Sequence, residues 1–192
     1  MKKLVIASGA TAVALAAMPI LGTFANVTDT VTLTIQGSCS VGQTSPTAGA
    51  GKTITESNAV NNQLYTYDAD GSTGGTLKVA CNDASGWNVK AVGSSSGADN
   101  TVMVPTASGT AIETGTATSG ADSQWMFKVA GTNVLSPYNA WAEIPDTATK
   151  VASSGDAASN EAIDTGYQVW VSATQEADTY TGSVTYTVAT GV

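Results

Sequence analysis

Toward its end the chain alternates with a period of two. Tyr180, Gly182, Val184, Tyr186 and Val188 fall on one side, and Thr181, Ser183, Thr185 and Thr187 on the other. Residues 27–35 repeat the pattern, with Val31, Leu33 and Ile35 opposed to Thr28, Thr30, Thr32 and Thr34. A helix of 3.6 residues per turn would scatter these apolar positions around its surface, whereas a strand gathers them on one face. β-Branched Val, Ile and Thr also suit an extended backbone. Further strand-like runs lie at 63–67, 76–81, 87–92, 101–104, 124–130, 140–144 and 167–173. Turn signals such as Asp70-Gly71, Gly74-Gly75, Ser85-Gly86, Ser108-Gly109 and Thr165-Gly166 separate them. About nine strands result. At most, 156–163 adds one or two helical turns. Segments 45–52, 93–100 and 107–121, rich in Gly, Ser, Thr and Ala, read as loops. Many short strands with Gly-rich turns predict an all-β, antiparallel β-sandwich.

The first residues read as an export signal. Lys2 and Lys3 precede an Ala-rich apolar run over 4–21, and Thr23-Phe24-Ala25 ends in small residues placed for cleavage after Ala25. The alternative is an uncleaved anchor, since the run approaches spanning length. Cleavage divides the chain into a signal peptide, 1–25, and a single β-sandwich domain, 26–192. The mature part has five lysines against fifteen carboxylates, a net charge of −10. No second apolar run follows, so no membrane insertion is expected after cleavage. The tail Thr190-Gly191-Val192 carries no sorting motif, which makes any surface attachment non-covalent or partner-mediated. The expected location is secreted, extracellular or on the cell surface.

Composition excludes several chemistries. The 192 residues include no His, which removes Ser-His-Asp and Cys-His catalysis and His-ligated metals. All seven basic residues are lysines and the formal charge is −8, so no nucleic-acid partner is expected. The two cysteines, Cys39 and Cys81, meet an oxidising compartment on export. A bridge between them closes a loop of about 42 residues, contributing roughly 4 kcal/mol in the chain-entropy model. The alternative, a reactive thiol pair, lacks the Cys-x-x-Cys spacing or neighbouring His or Arg that lowers a thiol pKa.

Other candidates read mostly as structure. Asp68-Ala69-Asp70-Gly71 resembles the start of a calcium loop, but Val79 stands where the closing Glu belongs, so an Asp-Gly turn is expected. Glu143 with Asp146, and Glu176 with Asp178, are carboxylate pairs without a spacing that specifies glycoside hydrolysis. They read as solubilising surface acids, and neither catalysis, a metal nor a cofactor is expected. Asn26-Val27-Thr28 is a formal glycosylation sequon. Lys52, Lys78, Lys90, Lys128 and Lys150 read as solvated surface cations. Trp87 and Trp125 look like core. Trp170, between Val169 and Val171, faces away from them, so either both sheet faces are covered there or its ring is exposed. Trp141, near Pro137 and Tyr138, lies in a less regular segment. Trp141, Trp170 and Tyr138 are therefore the candidate ligand or partner contacts.

Gly37-Ser38-Cys39-Ser40-Val41, followed about 40 residues later by Leu77-Lys78-Val79-Ala80-Cys81, resembles the first half of chaperone–usher pilins and spore-coat-U-like proteins. The ending from Ala177 to Val188 is similar to their last strand. Together with Gly86-Trp87-Asn88-Val89 that ending also resembles WxL cell-surface domains, although Trp-x-Val and Tyr186-Thr187-Val188 replace the two Trp-x-Leu motifs. The resemblance implies an immunoglobulin-like sandwich, a bridge between the first two strands, and a non-catalytic bacterial surface role.

Two functions follow as expectations. The first is a structural or adhesive surface protein, a pilus- or coat-like subunit capable of self-assembly with other surface proteins. The second is a module binding cell-wall or cell-surface polysaccharide through exposed Trp. Only some thirteen residues precede Cys39 in the mature chain, too few for a donor segment and a first strand. A self-contained domain is therefore expected, with 27–35 and 179–188 paired within one chain and any polymerisation through other surfaces; the alternative is a sheet edge lacking a strand, with the Val31-Leu33-Ile35 face donated to a neighbour.

Overall fold

The computed structural model describes residues 37–42, 56, 59–71 and 73–191. The signal peptide, the strand expected at 27–35 with its pairing, the sequon, the loop at 45–52 and Lys52 lie outside them. Among the described residues no helix forms, and eleven strands occur rather than about nine. They are β1 (Cys39–Gly42), β2 (Gln63–Tyr67), β3 (Gly75–Cys81), β4 (Trp87–Gly93), β5 (Val104–Pro105) and β6 (Glu113–Thr114). The series continues with β7 (Gln124–Ala130), β8 (Thr149–Ser154), β9 (Ala158–Val171), β10 (Tyr180–Thr181) and β11 (Val184–Thr190).

The chain is all-β, as its period-two pattern requires. The larger sheet runs β1-β3-β9-β7-β6, and β2 shares the edge of β9 that β3 occupies. All its pairs are antiparallel except β6 with β7. The smaller sheet is β11-β4-β8, and β5 and β10 make a short ribbon. The inner faces of the two larger sheets meet in one core. Leu77, Val79, Phe127, Val129 and Ile163 come from one side, Trp87, Val89, Ala91 and Val151 from the other, and each is fully or almost fully buried. Burying such a large apolar side chain contributes roughly 1.5–3 kcal/mol.

The expected disulfide is present. Cys39 and Cys81 stand directly opposite one another in the β1–β3 ladder, with Cα atoms 4.1 Å apart, and are bridged. The link fastens a four-residue strand whose ladder alone is short.

Several boundaries differ from expectation, each for a tertiary reason. The helical turns expected in 156–163 are instead the first half of β9, because Leu77 pairs with Ile163 and Val79 with Glu161 along β3. The strand expected at 140–144 reduces to a single bridge between Phe127 and Ala142. Within 101–104 only Val104 is strand. β8 escapes the alternation rule because a bulge in its ladder with β4 turns both Val151 and Ala152 inward. The run expected at 180–188 splits into β10 and β11 around Gly182 and Ser183.

Gly182 lies against the Trp125 ring. A Cβ there would come within 2.8 Å of Trp125 Cη2 and of Met103 Cγ. Since Trp125 is buried and donates its indole N–H to the Thr101 carbonyl at 2.6 Å, it cannot readily retreat. Gly182→Ala should therefore cost about 1–3 kcal/mol by overpacking. A urea midpoint equal to that of the parent chain would contradict this packing account.

Candidate functional site

The three candidate aromatics separate into three environments. Trp170 is 7 % exposed and donates its indole N–H to the Gly120 carbonyl at 3.3 Å. Both sheet faces are covered at this point, so Trp170 offers no open ring to a ligand in this conformation. Trp141 is half-buried, with Lys128 Nζ 5.3 Å from its ring centre. Tyr138 is half-buried in an open cleft and packs against Phe127 with ring centres 5.4 Å apart. Trp87 and Trp125 are core residues, as their sequence setting suggests.

The Tyr138 cleft has a volume of about 520 Å³. One wall is the segment after Tyr138, with Glu143, Ile144, Pro145 and Asp146. Asp99 and Thr101 from the β4–β5 loop, and Thr114 from β6, make the other. Backbone anchors set its shape. Ile144 N–H donates to Thr114 Oγ1 at 2.7 Å, and Gly93 N–H to the Pro145 carbonyl at 2.8 Å. Asn100 Nδ2 donates to the Asp146 carbonyl at 3.1 Å. Asp99 accepts the Thr101 N–H and hydroxyl at 2.8 and 2.7 Å, which holds its carboxyl below the usual carboxylate range. The lining thus combines hydroxyls, three carboxylates and one aromatic ring, with no cation. Such a surface repels anions and can accept hydrogen bonds from a neutral polyol.

The other acidic pair has a structural task that sequence reading missed. Asp178 Oδ2 accepts the Ala107 and Ser108 N–H groups at 3.0 and 3.2 Å, and Oδ1 accepts Thr179 N–H at 2.6 Å. These bonds lower its pKa. Glu176 accepts Thr110 N–H at 3.1 Å. Gln175 Nε2 donates to the Thr110 carbonyl and to Tyr180 Oη, whose hydroxyl donates to the Glu176 carbonyl at 2.9 Å. Residues 175–180 thereby clamp the 106–110 loop. The Asp68–Gly71 segment belongs to the β2–β3 connection, where Asp70 accepts Thr73 N–H at 3.2 Å. Among the described residues no three His, Cys, Asp or Glu side chains cluster in a way that holds a metal ion.

Comparison with family models, curated proteins and solved structures finds no match to this chain.

At the seam between the sheets, the Tyr167 and Tyr186 hydroxyls meet at 3.0 Å. Burial pushes both phenols up, Tyr186 well above its ordinary value. Burial, and then the Glu56 carboxylate, also raise Tyr67, to about 12. A phenol whose pKa rises on folding stabilises the fold below its unfolded value, near 10, and that contribution is lost as pH climbs through the folded value. Tyr167 and Tyr186 should therefore stay protonated until the fold is lost in alkali. Replacing both with Phe should leave stability at pH 7 nearly unchanged and move alkaline unfolding to higher pH. An unchanged alkaline midpoint in that double variant would show that the pair does not govern the transition.

Proposed function

We propose that this chain is an exported, non-catalytic structural or adhesive module of a bacterial cell surface, immunoglobulin-like in arrangement, that associates through the β11 edge of its smaller sheet. The β11 strand carries the reading. Its seven residues, Val184–Thr190, contain no charge and no proline. Among the described residues it pairs only with β4, and its other row of backbone groups has no ladder partner among them. Val184, Tyr186 and Val188 face the core but are only half-buried. Edge strands in monomeric proteins usually carry Lys, Pro or a bulge that prevents pairing, and β11 has none of these. The bridge between β1 and β3 suits an oxidising compartment, and among the described residues no helix is long and apolar enough to cross a membrane.

A second reading, a polysaccharide-binding module, is favoured by the Tyr138 cleft with its hydroxyl and carboxylate acceptors.

The side chains of Thr185 and Thr187 are exposed, so lysines there charge the edge without entering the core. The parent protein should form filaments or a coat in antibody-labelled electron micrographs, and sediment as multimers. The Thr185→Lys/Thr187→Lys variant should keep its circular dichroism and remain dispersed. Unchanged assembly in that variant, or a parent protein that stays monomeric and co-sediments with purified wall polysaccharide, would contradict the assembly reading.

A further inference from the structure

The outer face of the larger sheet holds a row of side chains that the core does not use. Along β7 and β9, Gln124, Met126, Gln168 and Trp170 point away from the core that Trp125, Phe127 and Val129 enter. Cross-strand pairing sets Gln124 opposite Trp170 and Met126 opposite Gln168, and Leu64 on β2 flanks Trp170. None of these five is charged. Met126 is fully buried, and Trp170 and Gln168 are 7 % and 8 % exposed.

What lies over Trp170 is a strap of small residues, 115–122, with no side chain larger than Thr apart from Asp122 at its end. Residues 118–122 are exposed. Few bonds hold the strap. Where the strap leaves β6, Gly115 N–H donates to the Trp125 carbonyl at 3.0 Å; beyond it Ala117 N–H donates to Gln124 Oε1 at 2.8 Å, Trp170 Nε1 to the Gly120 carbonyl at 3.3 Å, and Thr174 Oγ1 to the Ala121 carbonyl at 3.4 Å. Gly120 has φ of 130°, a conformation that side chains disfavour. A segment fastened this lightly opens at much lower free energy than the sheet beneath it.

One group under this face is unsatisfied. Gln168 Nε2 donates to Thr66 Oγ1 at 2.9 Å, but Gln168 Oε1 has no hydrogen-bond partner. A buried carbonyl without a donor is rare in folded proteins and calls for an explanation. A neutral aromatic ring beside two carboxamides, one of them lacking a donor, is the chemistry that recognises a neutral sugar. The ring stacks on the apolar face of a pyranose, and the amides take its hydroxyls.

We propose that the outer face formed by Trp170, Gln168 and Gln124 is a binding site for a neutral hexose unit of a glycan, closed over Trp170 and Gln124 in this structure by the 115–122 strap. The strap occupies the ligand's place: the Gly120 carbonyl sits on the indole N–H, and Ala117 N–H on Gln124, where sugar oxygens and hydroxyls bond when it lifts. Half-buried Trp141, on the same outer side above Lys128, extends the platform for a longer chain. This inference rests on the polysaccharide-binding reading and moves its platform from the Tyr138 cleft to the sheet face.

A closed strap lowers apparent affinity by the fraction of time it is open. Gly120→Ala strains the strap alone, because a Cβ at Gly120 meets no atom within 4 Å. Calorimetric titration of the full exported chain with cellohexaose, mannohexaose and chitohexaose provides the test. At least one sugar should bind the parent protein weakly and Gly120→Ala at least fivefold more tightly. Gln168→Met, which keeps the side-chain volume, and Trp170→Phe, which keeps an aromatic ring but removes the indole N–H, should each weaken that binding at least tenfold. Binding that survives both substitutions and vanishes in Tyr138→Ala overturns this inference while leaving the glycan reading in the cleft. Absence of binding to the parent chain and to Gly120→Ala overturns both.

Discussion

β9 carries three ladders. Along one edge it pairs with β3 over 158–165 and with β2 over 167–171, and along the other with β7 over 164–170. Over 164–165 and 167–170 it is paired on both edges, so its backbone groups there are committed and its two faces decide how the sheet packs. Its odd positions Ile163, Thr165, Tyr167 and Val169 face the core side, and Gly166, Gln168 and Trp170 face outward. Because β2 and β3 share one edge, the chain must leave it between them. It does so beside Gly166, where a Cβ would lie 2.6 Å from Ala69 N and 2.8 Å from the Tyr67 carbonyl oxygen. Only a residue without a side chain allows that excursion, which places the pause between the two ladders at Gly166.

Carboxylates at the periphery hydrogen-bond to turns and loops. Asp83 accepts the Ser85 hydroxyl and N–H, Asp99 the Thr101 N–H and hydroxyl, and Asp178 the Ala107, Thr179 and Ser108 N–H groups, and these bonds hold the three carboxyls below the ordinary range. An ionised carboxylate that caps a turn needs no cation, which suits a chain with so few lysines. The same use of acids explains how a strongly negative protein keeps long Gly- and Ser-rich loops in place. The β1–β3 bridge does for the short first strand what hydrogen bonds do for the longer ones.

Where turn residues bound an apolar run, the strand pattern is readable even when, as in β7, both faces are largely covered. Residues 63–67 and 124–130 coincide with β2 and β7, and β3 and β4 begin or end within a residue of expectation. It was not readable where a bulge broke alternation, as at Val151 and Ala152, or where pairing overrode local preference, as in 158–163. Site residues were harder. Alternation correctly turned Trp170 away from Val169 and Val171, but the strap that covers it is built from Gly, Ser, Thr and Ala, which carry no pattern. The joining of Tyr138 with Glu143, Asp146 and Asp99 depends on loops from distant parts of the chain, and no spacing in the sequence encodes it.

The central claim is that β9 is one continuous strand through residues 158–171 and organises the larger sheet. NMR of the full exported chain tests it most directly, through backbone chemical shifts and amide exchange across 156–171. The account predicts strand-like shifts from 158 onward, with the Ile163 and Thr165 to Val169 amides among the slowest to exchange in the protein. Helical shifts over 156–163, or rapid exchange there while β7 stays protected, would contradict it.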